Sequence, residues 1–157
     1  MPWTLNALLH HPDFPQYDAW VHERFAPGEY ILRQGEPGRD VYLVLAGTVR
    51  VLGQIDVEAG RPVRPAYFDL GEHGIFGTLS LFDQASRSAD VQAVSDCEVA
   101  VIDGRALTDF MERHPKLGYS ILKQLFSHSA EQIRKNRKRV LSMLAWGLKA
   151  HRISHCL

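Results

Sequence analysis

Apolar and polar positions change their rhythm twice along the chain, which divides it into three parts. In residues 1 to 24, Leu5, Leu8 and Leu9 recur at helical spacing. The loop His11-Pro12-Asp13-Phe14-Pro15 follows, and a second short helix is predicted near Tyr17 to His22. This part reads as an N-terminal helical cap. From residue 25 to 102 the texture becomes short β-branched and aromatic runs, at Tyr30–Leu32, Val41–Leu45, Thr48–Leu52, Tyr67–Leu70, Ala89–Val94 and Glu98–Ile102. Pro27-Gly28, Gly35, Pro37-Gly38, Gly47, Ala59-Gly60, Gly71 and Gly74 punctuate them. Many short strands separated by turn residues predict an antiparallel β-roll of the jelly-roll kind. Residues 103–157 return to helical spacing, with one helix to Arg113, a break at His114-Pro115 and a long helix to about Ala150. Pro115 suits the first turn of the long helix, where its missing N–H costs nothing. The expected class is mainly β with helices, the roll being flanked by short N-terminal helices and a long C-terminal one.

The long helix has a finer pattern. Leu122, Phe126, Ser129, Ile133, Asn136, Val140, Met143 and Gly147 are separated by alternating gaps of four and three. That is the a/d spacing of a coiled coil. A helix of ~35 residues extends ~50 Å, too far to be covered by a small barrel. Its first turns are expected to face the barrel and the rest to pair with a second copy as a homodimer. Asn136 would sit mid-seam, where a polar residue fixes register at some cost in stability.

Composition bounds these readings. In 157 residues there is room for one domain with a sizeable core and one long accessory element. Hydrophobic residues at 45% and charged residues at 23% argue against disorder. Eighteen basic and eighteen acidic residues cancel, so the chain as a whole has no pull towards nucleic acid or anionic lipid. Cys97 and Cys156 form no disulfide framework and fit a reducing compartment, the cytoplasm. No apolar run reaches membrane-spanning length, and the first residues lack a secretory pattern.

Candidate chemistry concentrates between Ile75 and Val91. Gly77 lets a ligand approach the backbone, a short helix beginning near Leu79 presents N–H groups, and Arg87 between Ser86 and Ser88 offers a planar fork of donors. Together these would hold an anion such as one cyclic phosphate. Eight histidines invite a metal or haem reading, yet they lack ligand spacing beside acidic or cysteine partners, so no metal and no cofactor is expected. His151 and His155 would share a helical face near Cys156, which is read as incidental. The basic run Arg134 to Arg139 flanks the a/d seam and is read as solvated coiled-coil surface rather than a nucleic-acid site. No nucleophile and base stand out as a set, so catalysis is not expected.

Two segments carry a family resemblance. Ile31 to Gly47, with its Gly35-Glu36-Pro37-Gly38 turn, resembles the first signature of cyclic nucleotide-binding domains. The Ile75–Val91 cassette, followed by Asp96 to Ile102, resembles the second half of that domain as found in the cyclic-AMP receptor protein and FNR family. The resemblance covers about residues 17 to 145. It implies a ligand-holding roll over residues 25–102, and C-terminal helices over 103–157 that act as lid and dimer seam.

It also implies site roles. Arg87 takes the position that meets the phosphate, Ser88 the assisting hydroxyl, and Phe76, Gly77, Thr78, Leu79 and Ala89 line the cassette. Val51 and Tyr67 would wall the base, with Ser129, Gln132 and Ile133 approaching it from the long helix. The family pattern places a glutamate after the cassette glycine, accepting from the ribose 2′-hydroxyl; here Thr78 stands there. A hydrogen bond to a charged group contributes about 1.5–3 kcal/mol and a neutral one about 0.5–1.5, so altered ribose recognition is expected. Three outcomes stay open: a cyclic mononucleotide bound differently, another anion, or a degenerate pocket that leaves a ligand-free dimerisation module. Between cyclic GMP and cyclic AMP the expectation leans slightly to cyclic GMP, because Ser88 could meet the guanine amine. Only Lys149 to Leu157 follow the seam, so a complete DNA-binding regulator is not expected. The arrangement resembles a bacterial cyclic-GMP sensor that precedes a diguanylate cyclase domain.

Overall fold

The computed structural model describes residues 4–53 and 66–150. The predicted punctuation at Ala59-Gly60 and the His151, His155 and Cys156 tail lie outside the described residues. Among the described residues the order is α1 (Leu5–Leu8), β1 (Trp20–Phe25), β2 (Tyr30–Leu32), β3 (Val41–Ala46), β4 (Val49–Leu52), β5 (Ala66–Leu70), β6 (Ile75–Phe76), α2 (Ser80–Asp83), β7 (Asp90–Ala93), β8 (Cys97–Ile102), α3 (Gly104–Arg113) and α4 (Pro115–Ala150). The strands form two four-stranded sheets, β1-β8-β3-β6 and β2-β7-β4-β5. Every pairing is antiparallel and most neighbours are distant in sequence, as an antiparallel roll requires.

The helix expected near Tyr17 to His22 is not formed. Tyr17 adopts a left-handed backbone with φ 73, and β1 begins at Trp20. Pairing with β8 wins over local helical spacing: Trp20 faces Ile102 and Phe25 faces Cys97, so six residues lie in register and the main-chain groups that point at β8 are satisfied by the ladder. The outward side chains of this pair also match in charge, with Glu98 taking His22 Nε2 at 3.1 Å and Arg24 Nε at 3.4 Å.

Strand β3 explains the unbroken apolar run Val41 to Leu45. Val41 and Leu43 point into a core of Leu5, Leu8, Phe14, Leu107, Phe110, Ile121 and Leu125, beneath the helices. Tyr42 and Val44 point the other way, into the core between the sheets with Val49, Val51, Phe76, Val91 and Val99. A strand buried on both faces needs no polar alternation. One consequence bears on the site: the same alternation aims the Tyr42 ring into the roll.

The helices close the first core. Asp103 caps α3 by accepting the Ala106 N–H at 2.7 Å. Phe110 stands fully buried at its centre, edge-on to Phe14 at 5.6 Å and to His11 at 4.9 Å, with the His114 ring at 4.5 Å. His114 in turn reaches Asp13 at 3.0 Å. The Gln124 side chain accepts the Leu5 N–H at 2.9 Å, which ties α1 to the first turns of α4.

Two compact units are present, Met1–Leu125 and Phe126–Leu157. In the first, Ile121 and Leu125 of α4 are buried in the helical core, as expected for turns that face the barrel. In the second, Phe126, Ile133, Val140 and Met143 of the predicted seam are exposed, and so are Leu141, Leu144 and Trp146. Among the described residues no helix is long and apolar enough to cross a membrane.

Truncating Phe110 tests the helical core. Phe110→Ala removes a fully buried aromatic, for which the expected cost is about 3–5 kcal/mol. At about 2–4 °C per kcal/mol for a domain of this size, the melting temperature should fall by roughly 10 °C. A loss of only a degree or two in thermal denaturation would show that this core does not hold the helices.

Candidate functional site

The site is assembled from two loops and the first turns of a short helix. Gly77 follows β6 with φ 78, and a Cβ there would stand 2.9 Å from the Asp40 carbonyl oxygen and 3.0 Å from Arg87 Nη1. Both the backbone conformation and the space therefore demand glycine. Thr78 is half-buried, Leu79 exposed, and Ser80, the first residue of α2, is buried.

Arg87 is only 5% exposed. Its Nη1 donates to the Gly77 carbonyl and its Nη2 to the Asp40 carbonyl, each at 3.1 Å. The Tyr42 ring lies 5.5 Å from the guanidinium carbon and stacks on Phe76, with centroids 4.8 Å apart. Main-chain bonds hold the same residue from behind: the Arg87 N–H donates to the Glu36 carbonyl and the Gly35 N–H to the Arg87 carbonyl, both at 2.9 Å. Close by, buried Asp90 accepts the Gln34 N–H at 2.7 Å. These bonds bring together the two segments that the sequence separates by some forty residues.

Among the described residues no carboxylate lies within ion-pair distance of Arg87. A guanidinium has five N–H donors, and two of them are engaged here by neutral carbonyls. A buried guanidinium outside any close ion pair keeps part of its desolvation cost, so the arrangement favours an anion supplied from outside.

The predicted site residues divide into groups. Phe76, Ala89 and Val51 belong to one core cluster between the sheets, joined by Val91 and Tyr42. Gly77 and Arg87 meet directly. Ser88 is exposed between buried Arg87 and Ala89. Tyr67 is not opposite Val51: in the regular β4–β5 register Phe68 faces Val51 and packs on the inner core, and the register shifts only beyond that pair, where Tyr67 has no partner in the ladder and its hydroxyl lies over Gly53. Ser129, Gln132 and Ile133 lie in the second unit. Sequence reasoning passed over Asp40, Tyr42, Phe68 and Ser80. For Tyr42 a signal existed, since an aromatic in the middle of a doubly buried strand must point into one of two cores. For Asp40 none did, because it holds Arg87 through its main chain.

Asp40 has altered acidity. Burial raises its carboxyl above the ordinary range and nearby Asp103 adds to the rise; the Gly104 N–H and Arg87 act in the opposite direction. Burial likewise raises the Tyr42 phenol, with Arg87 opposing.

With this geometry in view, comparison with known proteins is decisive about the family. The chain belongs to the cyclic nucleotide-binding domain family, whose pattern it matches over residues 22–114. It is 35% identical over 95 residues to a Rhodopseudomonas palustris protein named as a potassium channel, covering 60% of this chain and 21% of that one. It is 33% identical over 90 residues to the cAMP-dependent protein kinase regulatory subunit of Hypocrea atroviridis, covering 57% and 17%. The chain thus spans about a fifth or less of these relatives. Among solved structures, a cyclic nucleotide-binding domain from Methylobacillus flagellatus superimposes with a TM-score of 0.72 at 26% identity, over 80% of this chain and 68% of that one. The Thermus thermophilus catabolite activator protein superimposes with a TM-score of 0.61 at 26% identity, over 80% and 55%. The predicted antiparallel roll and its family are therefore the observed ones, and the domain is a regulatory fold rather than a catalytic one.

The raised Asp40 carboxyl makes a signed prediction. Its native form holds a proton more tightly than the unfolded chain, whose carboxyl titrates near 3.8. Ionisation therefore costs stability, and the cost grows as pH rises through the window between the unfolded and the higher folded value. Asp40→Asn should be more stable than the parent near neutrality, with the difference closing as pH falls towards about 4. Denaturant titrations over that range check this; a difference that does not change with pH would contradict it.

Proposed function

We propose that the domain is a cyclic mononucleotide sensor in which ligand phosphate docks on the Gly77 turn and Arg87, and the altered helices carry the signal to an output domain or partner. The observation that carries the reading is the buried guanidinium of Arg87, held at a cassette glycine by main-chain carbonyls and, among the described residues, in no ion pair. A similar structure supports the class: the regulatory domain of Toxoplasma gondii PKA, solved with cAMP, matches at 28% identity, TM-score 0.56, over 73% of this chain and 40% of that one. Between the two purine ligands we favour cyclic GMP slightly, because Ser88 is exposed beside Arg87 and can face a base. Val51, with Phe68 opposite it, would wall that base.

The exposed stripe Phe126, Ile133, Val140 and Met143 supports a homodimer through α4, since apolar residues repeating at a/d spacing need a partner. A fused output such as a diguanylate cyclase is compatible with a helix that leaves the roll at one end. A second reading, a ligand-free interaction module, is favoured by Thr78, which supplies no carboxylate for a ribose hydroxyl.

A thermal-shift series with cyclic GMP, cyclic AMP and cyclic dinucleotides separates the readings. At 100-fold over the dissociation constant a ligand adds about 2.7 kcal/mol, which is roughly 5–10 °C here. Arg87→Ala should lose that shift while still melting cooperatively. No shift of the parent with any of these ligands would leave the interaction module. The seam is tested separately: Val140→Asp combined with Met143→Asp should turn a dimer into a monomer in sedimentation, and a dimer that survives both would place the interface elsewhere.

A further inference from the structure

The charge balance of the whole chain conceals a segregation along it. Residues 126–157 carry seven Lys and Arg against one acidic residue, Glu131, whereas residues 1–125 carry eleven against seventeen. In α4 the excess is gathered in the run Arg134 to Arg139, and Glu131 is already taken by Lys135 at 2.9 Å. Arg134, Arg137, Lys138 and Arg139 are exposed and, among the described residues, in no ion pair. A second feature lies on the same helix. Moving each seam position on by one residue, about 100° around the helix axis, gives a neighbouring stripe of the same spacing: Arg134, Arg137, Leu141, Leu144 and Leu148. Leu141 is 56% and Leu144 58% exposed, and Leu148 is half-buried. The stripe is cationic in its first turn and apolar in those that follow. A coiled-coil partner covers positions a and d, so Arg134, Leu141 and Leu148, which fall at the outward b position, stay uncovered by a seam.

We propose that this stripe docks α4 on an anionic lipid surface, with the arginines at the level of the head-group phosphates and the leucines at the acyl boundary. Docking of this kind is independent of any nucleotide at Arg87. The sign of the partner is set by charge: an uncompensated cationic run is attracted to a negative surface over a range fixed by salt. The leucines then decide among negative partners. A nucleic acid would take the guanidiniums on its phosphates and leave Leu141, Leu144 and Leu148 in water. A bilayer takes both, since an interfacial helix buries apolar residues just below the head groups while arginine stems reach up to them. The guanidinium fork also matches a phosphate bidentately. A second copy of the stripe is a poor occupant. Laid parallel, it would set Arg134 and Arg137 against their own like charges; laid antiparallel, it would bury them on leucines without a counter-charge. The stripe also holds no Trp or Tyr, the anchors on which protein interfaces concentrate their energy.

The test is flotation of the full chain with vesicles of phosphatidylcholine alone and of phosphatidylcholine mixed with phosphatidylserine. The parent should bind only the mixed vesicles. Raising salt from about 0.1 M to about 1 M shortens the screening length from about 10 Å to about 3 Å and should release most of it. Arg134→Gln with Arg137→Gln should weaken binding about thirtyfold, and Arg134→Gln alone, clear of the seam, about fivefold. Lys138→Gln with Lys149→Gln removes the same charge from outside the stripe and should cost at most about threefold, because the attraction fades within a screening length. Equal losses for the two pairs would reduce the effect to net charge and overturn the stripe. Leu141→Ser with Leu148→Ser, both off the seam, should weaken vesicle binding about tenfold; undiminished binding of that variant overturns contact with the acyl boundary. Binding of a DNA duplex as tight as that of the mixed vesicles would give the basic run to a nucleic acid instead. No binding of the parent to mixed vesicles at the lower salt sinks the proposal outright.

Discussion

The structure turns on how one guanidinium is held. Arg87 spends two of its donors on carbonyls from segments far apart in sequence, Gly77 at 10 residues and Asp40 at 47. Neither carbonyl could be where it is without the sheets. Pairing of Tyr42 with Phe76 across β3 and β6 fixes the Gly77 turn, and pairing of Val41 with Ile102 across β3 and β8 fixes the chain just after Asp40. The Tyr42–Phe76 stack then fills the space beneath the fork. A planar fork tolerates little misplacement of its acceptors. The roll is thus a device for presenting two main-chain oxygens at one distance from one arginine, and the arginine in turn locks the loops that the roll leaves free.

Much of the architecture was legible because the strands' burial imposes a visible texture. Runs such as Val41 to Leu45 and Val99 to Ile102 are apolar without alternation, since each lies between two cores. What escaped reading was structure decided by distant partners. Trp20 to Phe25 carries His22, Glu23 and Arg24 in its middle, and only the facing Glu98 makes that polar content consistent with a strand. Two-residue β6 is too short to leave a period at all. The cassette was readable because its parts are local: glycine, short helix and arginine within a dozen residues. Phe68 rather than Tyr67 faces the core because it shares the face of Leu70 and stands opposite Val51 in the regular register, whereas Tyr67 alternates outward with Asp69.

Helix α4 shows why one amphipathic pattern can hold two meanings. Ile121 and Leu125 are buried in one core with residues of α1 and α3, whereas Phe126, Ile133, Val140 and Met143 continue in helical register as exposed side chains. Periodicity alone reports a stripe and not its occupant. The change comes where the N-terminal segment stops accompanying the helix, marked by the Gln124 side chain bonded to Leu5. Before that point the stripe stabilises the domain; beyond it the stripe is available for association.

The cassette divides its recognition between backbone and side chain, and the division explains how Thr78 can differ without spoiling the rest. In the proposed reading phosphate recognition would draw on the Gly77 turn, the start of α2 and a buried arginine fixed by carbonyls. Gly77 itself is constrained by its own φ and by its closeness to Asp40 and Arg87. Ribose recognition, by contrast, would have to come from the side chain at position 78. A hydroxyl can donate as well as accept, whereas a carboxylate only accepts. Thr78 therefore changes the hydrogen-bonding grammar offered to the sugar and leaves the anion site intact, which makes the sugar face of the ligand the place where this domain's selectivity should depart from its relatives.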